Sequence, residues 1–161
     1  MVFQFVQLAD PQFGMFTRYS GSSPEELEAF ARAGHNVKAA PPSVGFAEET
    51  RLFEEAIDVA NELEPAFVVV CGDMVNDPAS LEQRAEVLRI AGTLKPEIPI
   101  HWVAGNHDVA ADTVVPTPES LRDYRAVWGD DYYAFQHENA SFITLNSSVL
   151  AFPGAVQDEL H

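Results

Sequence analysis

Hydrophobic and polar positions first alternate over residues 2–9, where Val, Phe, Gln and Leu keep strand-like spacing until Asp10-Pro11 removes a backbone donor and stops the run. From 17 to 45 the period is lost. Gly21-Ser22-Ser23-Pro24, Gly34-His35-Asn36 and Pro41-Pro42 interrupt it and leave one short helical piece at 24–33, so the segment reads as an inserted surface loop with His35 in solvent. A helical period then takes over: Phe46, Phe53, Ile57, Ala60 and Leu63 predict an amphipathic helix over 47–63, with Glu48, Glu49, Glu54 and Glu55 on its solvated face. Pro65 ends it, and Phe67-Val68-Val69-Val70-Cys71 reads as a strand buried on both faces that leads into Gly72-Asp73.

Ser80 and Gln83 have capping-box spacing, and Leu81, Ala85, Leu88 and Ala91 supply the stripe of a second helix. A third strand follows over 98–104 and closes on Gly105-Asn106-His107-Asp108. Thr117-Pro118-Glu119 opens a further helix with apolar Leu121, Tyr124 and Trp128, stopped by Gly129-Asp130-Asp131. Residues 132–136 and 141–145 form a hairpin around a turn containing His137, and 155–161 reads as the start of another helix. Strand, helix, strand, helix, strand with right-handed crossovers predicts an α/β fold with parallel strands whose carboxyl ends share one sheet edge. Asp10, Asp73 and Asn106 then converge there.

Length and composition narrow this picture. The 161 residues, 47% hydrophobic, suffice for one domain with a core. Nine basic against twenty-five acidic residues, a formal net charge of −16, disfavour binding to nucleic acid or an anionic membrane surface. The single cysteine, Cys71, excludes an intrachain disulfide and reads as a small core residue. No apolar run has the length of a membrane span and no secretory signal is evident, which predicts a cytoplasmic protein.

The chemistry rests on three oxygen-bearing side chains, each just past a parallel strand. Such a set suits a two-metal hydrolytic site with cations about 3.5–4 Å apart, in which Asp73 bridges, Asp10 holds the first ion and Asn106 the second. His107 follows Asn106, and a histidine there can protonate a departing oxygen while a hydroxide shared by the metals attacks phosphorus in line. The plainer alternative is a polar turn whose Asn and Asp bond their own backbone.

Leu8-Ala9-Asp10-Pro11-Gln12, Cys71-Gly72-Asp73 and Gly105-Asn106-His107-Asp108, in that order, resemble the motifs of the calcineurin-like metallophosphoesterases, in the subgroup with Asp-Pro-Gln-Phe-Gly at the first motif. Trp128-Gly129-Asp130-Asp131-Tyr132-Tyr133 and Leu145-Asn146-Ser147 extend the likeness over nearly the whole chain. The resemblance implies a layered α/β/β/α sandwich, of which residues 1–161 are a single domain incomplete at the C-terminus, the first half to two-thirds. It also implies metal ligands Asp10, Gln12, Asp73 and Asn106, a catalytic His107, and an Asp108 that orients His107 or its turn. Two divalent ions, Mn, Fe, Zn or Mg, would be the cofactors.

The chain departs from that family's pattern in three places. Most relatives carry histidine where Gln12 stands, and an amide is the weaker ligand for Zn or Fe. Asn76, followed by Asp77, occupies a position where many relatives support the histidine with aspartate. After His107 nothing matches the family's further metal-binding histidine or its Gly-His-x-His segment. The expected activity is therefore metal-dependent hydrolysis of phosphate monoesters or phosphoproteins, feeble in this chain. The competing expectation is a non-catalytic interaction module that keeps the fold and self-associates through exposed sheet surface.

Overall fold

A computed structural model describes residues 2–110 and 115–152. The expected helix start at 155–161 lies outside the described residues. β1 (Val6–Ala9), β2 (Val68–Cys71) and β3 (Ile100–Val103) form one parallel sheet in the order β1-β2-β3, with Leu8 opposite Val70 and Val70 opposite Trp102. The two crossovers are made by α3 (Ala47–Leu63), between β1 and β2, and α4 (Leu81–Ala91), between β2 and β3. α1 (Met15–Tyr19) and α2 (Pro24–Arg32) precede α3. α2 is capped by a Ser23–Glu26 box, buries no residue, and sets Phe30 against Tyr19 of α1 at 5.7 Å.

α3 ends with Glu64 in a left-handed conformation immediately before Pro65, which supplies no donor to continue the ladder. Its apolar face, Phe53, Ile57 and Ala60, packs with Val87 and Ile90 of α4 onto Val68 and Val70, and all of these belong to one core. Glu49 departs from the solvated face expected of it. It is 3% exposed, and Oε1 accepts from the backbone N–H groups of Gly14 and Phe16, holding the start of α1 against α3.

The opposite face of the sheet is covered by the hairpin β4 (Tyr133–His137) and β5 (Ala140–Thr144), whose turn is only Glu138-Asn139. β2 is consequently buried on one face and half-buried on the other, since two strands cannot roof three. His137 is a strand residue rather than a turn residue: its ring packs 4.7 Å from Phe3 and 5.8 Å from Phe67. His101 stacks on Phe135 at 3.6 Å and 7°, and the Tyr133 hydroxyl donates to the Trp102 carbonyl.

Burial in this aromatic layer holds the His101 imidazole below its ordinary 6.5. The folded chain therefore binds fewer protons than the unfolded chain just below pH 6.5, so stability is lost as pH falls through that value. His101→Phe preserves the stack and removes this sensitivity. Denaturant titrations at pH 7.5 and 5.5 should give a smaller drop for the variant than for the wild type, and equal drops would refute the assignment.

α5 (Asn106–Val109) follows β3, and α6 (Pro118–Trp128) starts at a Thr117–Ser120 capping box with proline in its first turn. α7 (Ser147–Ala151) is capped by Asn146, whose side-chain oxygen accepts from Ser148 N and Val149 N.

Candidate active site

β1 and β2 each run into a left-handed aspartate. Asp10, directly after β1, has φ 52°, and Asp73, two residues after β2, has φ 49°; Gln12 is left-handed as well, at 36°. A non-glycine residue in this region costs on the order of 1 kcal/mol, and backbone pairing holds it there. Asp10 N donates to Gly72 O at 3.2 Å, Gln12 N to Asp73 O at 2.8 Å and Phe13 N to Met74 O at 3.2 Å. The loops after β1 and β2 are thus zipped together beyond the sheet.

The approach of β2 to β3 depends on glycine. A Cβ on Gly105 would fall 2.2 Å from Asp73 Oδ1, and one on Gly72 would fall 2.9 Å from the Gly105 Cα. Only bare backbone leaves the Asp73 carboxylate its place. Beyond Gly105 the Asn106-His107-Asp108 segment is one helical turn rather than an irregular loop, and His107 N donates to Asp73 Oδ1 at 3.0 Å.

Asp10, Asp73 and Asn106 line a single cavity of about 300 Å³, with Cys71, Gly72 and Gly105 beside them and Leu145, Ser147 and Ser148 across from them. Cys71 is a wall residue, not the core residue its apolar context suggested, and burial followed by the negative charge of Asp10 pushes its thiol up. Gln12 does not line this cavity. The chain turns at Asp10 and again at Gln12 to pair alongside Asp73, and that carries Gln12 off the strand end.

His107 is 8% exposed, and its Nδ1 lies 2.9 Å from the Asn76 carbonyl oxygen. The group at Nδ1 is therefore a backbone carbonyl. The Asp77 carboxylate accepts from Ala79 N at 2.9 Å instead.

Asp108 turns its carboxylate to the backbone. Its 2% exposed carboxylate accepts from Met74 N at 2.8 Å and Val75 N at 3.4 Å through Oδ1, and from Gly105 N at 2.8 Å through Oδ2. It staples the ends of β2 and β3 together, since its position at the third residue of α5 aims it back at the N-terminal backbone. Burial, aided by the charge of Asp73, pushes Asp108 up to about 7 against the pull of those three N–H groups.

Among the described residues no three His, Cys, Asp or Glu side chains gather as a metal-binding group. The donors at the cavity are two carboxylates and an amide, from Asp10, Asp73 and Asn106. That set is hard and oxygen-only, and fits divalent ions such as Mg or Mn that complete their shells with water.

The far wall escaped the sequence reading. Ser147 and Ser148 reach the cavity because Asn146, fully buried, caps α7 and donates to Asp131 Oδ2 at 3.0 Å, while Arg125 Nε donates to Asp131 Oδ1 at 2.6 Å. An Asn-Ser-Ser cap after a strand was the available signal.

Residues 4–158 match the family model described as Calcineurin-like phosphoesterase. Similar proteins include the serine/threonine-protein phosphatase CPPED1 of Bos taurus, 34% identical over 158 residues, and that of Homo sapiens, 31% identical over 161 residues. The alignments cover 92% and 94% of this chain, respectively, and 44% of each relative. The chain thus spans less than half the length of these relatives. No helix among the described residues is long and apolar enough to cross a membrane.

Proposed function

The chain belongs to the calcineurin-like phosphoesterase family, and from that premise we propose that its cavity serves metal-dependent hydrolysis of phosphate monoesters, phosphoserine and phosphothreonine among them. The observation that carries this reading is the convergence of Asp10, Asp73 and Asn106 on one cavity with His107 fixed beside Asp73.

Asp10 and Asp73 would hold one divalent ion, Asp73 and Asn106 a second. When bound, such ions supply an activated water and positive charge against the phosphoryl oxygens. The chain's own residues do the rest. Asn76 O takes the Nδ1 proton of His107, and the ring, when doubly protonated, would pass its Nε2 proton to the departing oxygen. Ser147 and Ser148 offer hydroxyls across the cavity to a bound phosphoryl group. With 25 acidic residues against nine basic ones, the substrate is a small ester or phosphoprotein rather than a nucleic acid.

Turnover by this chain is expected to be low, because a carboxylate pair and one amide leave much of two coordination shells to water. In a fluorescence melt, millimolar Mn should stabilise the wild type, by up to about 2.7 kcal/mol at a hundredfold excess over the dissociation constant. Asp73→Asn keeps an oxygen for His107 N but loses the charge, and should abolish both that gain and the slow release of phosphate from an aryl phosphate. A chain that gains no stability from Mn, Mg, Fe or Zn and releases no phosphate overturns the reading.

The lack of a three-residue His, Cys, Asp or Glu group among the described residues favours a second reading. A non-catalytic module would self-associate through exposed sheet surface, such as the edge of β1 that no strand among the described residues pairs, regardless of metal, and sedimentation of a metal-free monomer counts against it.

A further inference from the structure

The reciprocal box expected between Ser80 and Gln83 is only half made. Ser80 Oγ accepts from Gln83 N at 3.3 Å, but the Gln83 side chain turns away from the start of α4, and its Oε1 accepts from Asn76 N at 3.1 Å and Asp77 N at 2.8 Å. The N–H of Asp77 and the carbonyl of Asn76 belong to the same peptide plane, and that carbonyl is the one facing His107 Nδ1 at 2.9 Å. Gln83 therefore holds one end of a rigid amide whose other end meets the imidazole.

Two further features keep this arrangement in place. Asn76 N is shared with Phe13 O at 3.0 Å, so the loop after β2 is tied to the loop after β1 as well as to α4. A Cβ on Gly14 would fall 2.3 Å from Gln83 Nε2, so glycine at that position leaves room for the carboxamide. A planar peptide transmits orientation from its N–H to its C=O, and hydrogen bonds in series polarise one another.

We propose that Gln83 is a positioning residue: by gripping the Asn76–Asp77 peptide it fixes the plane and tautomer of His107, keeping the proton on Nδ1. The consequence for turnover rests on the reading of His107 as the proton donor. The claim about the ring does not.

The test uses the 161-residue chain without metal, with long-range ¹H–¹⁵N correlations of the His107 ring and hydrogen exchange at Asn76 and Asp77. Gln83→Met removes the acceptor at similar bulk and Gln83→Ala removes it with no new contact. Gln83→Glu keeps an acceptor at the same reach. In the Met and Ala variants the His107 ring nitrogens should move away from the Nδ1–H pattern and the two amides should exchange on the order of ten times faster, while amides of β1–β3 are unchanged. Gln83→Glu should return both signals to wild type.

With Mn added, aryl phosphate turnover should fall about tenfold in kcat with little change in KM, as is usual when an outer partner of a site group is lost. A wild-type ring pattern in either acceptor-less variant overturns the proposal. Should no form hydrolyse phosphate esters, the proposed function fails while the ring signals still decide the role of Gln83. Turnover retained alongside an unmoved ring rejects Gln83 alone.

Discussion

Asp108→Ala is expected to lower the unfolding free energy by about 3 kcal/mol, summing the usual cost of leaving buried donors unpaired. The alanine leaves the N–H groups of Gly105, Met74 and Val75 without their acceptor in a site where Asp108 is 2% exposed. The relief of a buried charge works in the opposite direction, since burial already pushes this carboxyl up to about 7, and keeps the loss below the full sum of three bonds. Asp108→Asn separates the two effects. It keeps one oxygen but sets an NH₂ group against a backbone donor, so a loss of about 2 kcal/mol is expected where hydrogen bonding dominates. Urea titrations of both variants decide: an asparagine variant more stable than wild type would mean that the charge, not the staple, governs the site. Because the Gly105 and Met74 backbones flank Asp73, both variants should also weaken metal-dependent stabilisation.

Asp131→Ala should cost a similar amount, about 3 kcal/mol, because it removes in one step the acceptor of the buried Asn146 amide and a charged acceptor of Arg125. Asp131 is 2% exposed and takes both Arg125 Nε and Asn146 Nδ2, while Asn146 in turn caps α7 and presents its carbonyl to the Tyr132 hydroxyl. The Arg125 side chain keeps 31% of its surface in water, so its truncation should be milder than removal of the carboxylate. A double-mutant cycle with Arg125→Met and Asp131→Ala measures the coupling between the two. Loss of this network should also free Ser147 and Ser148 from the cavity wall, seen as faster hydrogen exchange at Ser148 and Val149. Unchanged exchange there would show that α7 is held by its apolar contacts alone.

The local elements were legible because their signals lie within a few residues. The spacing of Phe53, Ile57 and Ala60 and the proline at 65 specify α3 over Ala47–Leu63, and the proline and capping threonine at 117–118 specify the start of α6. The parallel order followed from crossover handedness, so the strand-end positions of Asp10, Asp73 and Asn106 could be anticipated. Side-chain partners could not. Gln83 spaced three residues after Ser80 reads as a local cap, yet a loop brought alongside by the β1–β2 zipper offers two backbone donors and takes it. Glu49 reads as one of several solvated acids, yet two N–H groups at the start of α1 draw it inside.

The amino-acid sequence by itself determined the periods, caps and breaks of the chain, and with them which residues stand at the carboxyl ends of the strands, because those depend on short-range sterics and hydrogen bonding. Only the tertiary structure decided that the Gln12 backbone pairs with Asp73, that Asp108 accepts from the Gly105 and Met74 backbones, and that Asn76 presents its carbonyl to the imidazole. Each of those outcomes is a competition among buried donors and acceptors far apart along the chain, settled by which partner the packed strands bring within 3 Å or so.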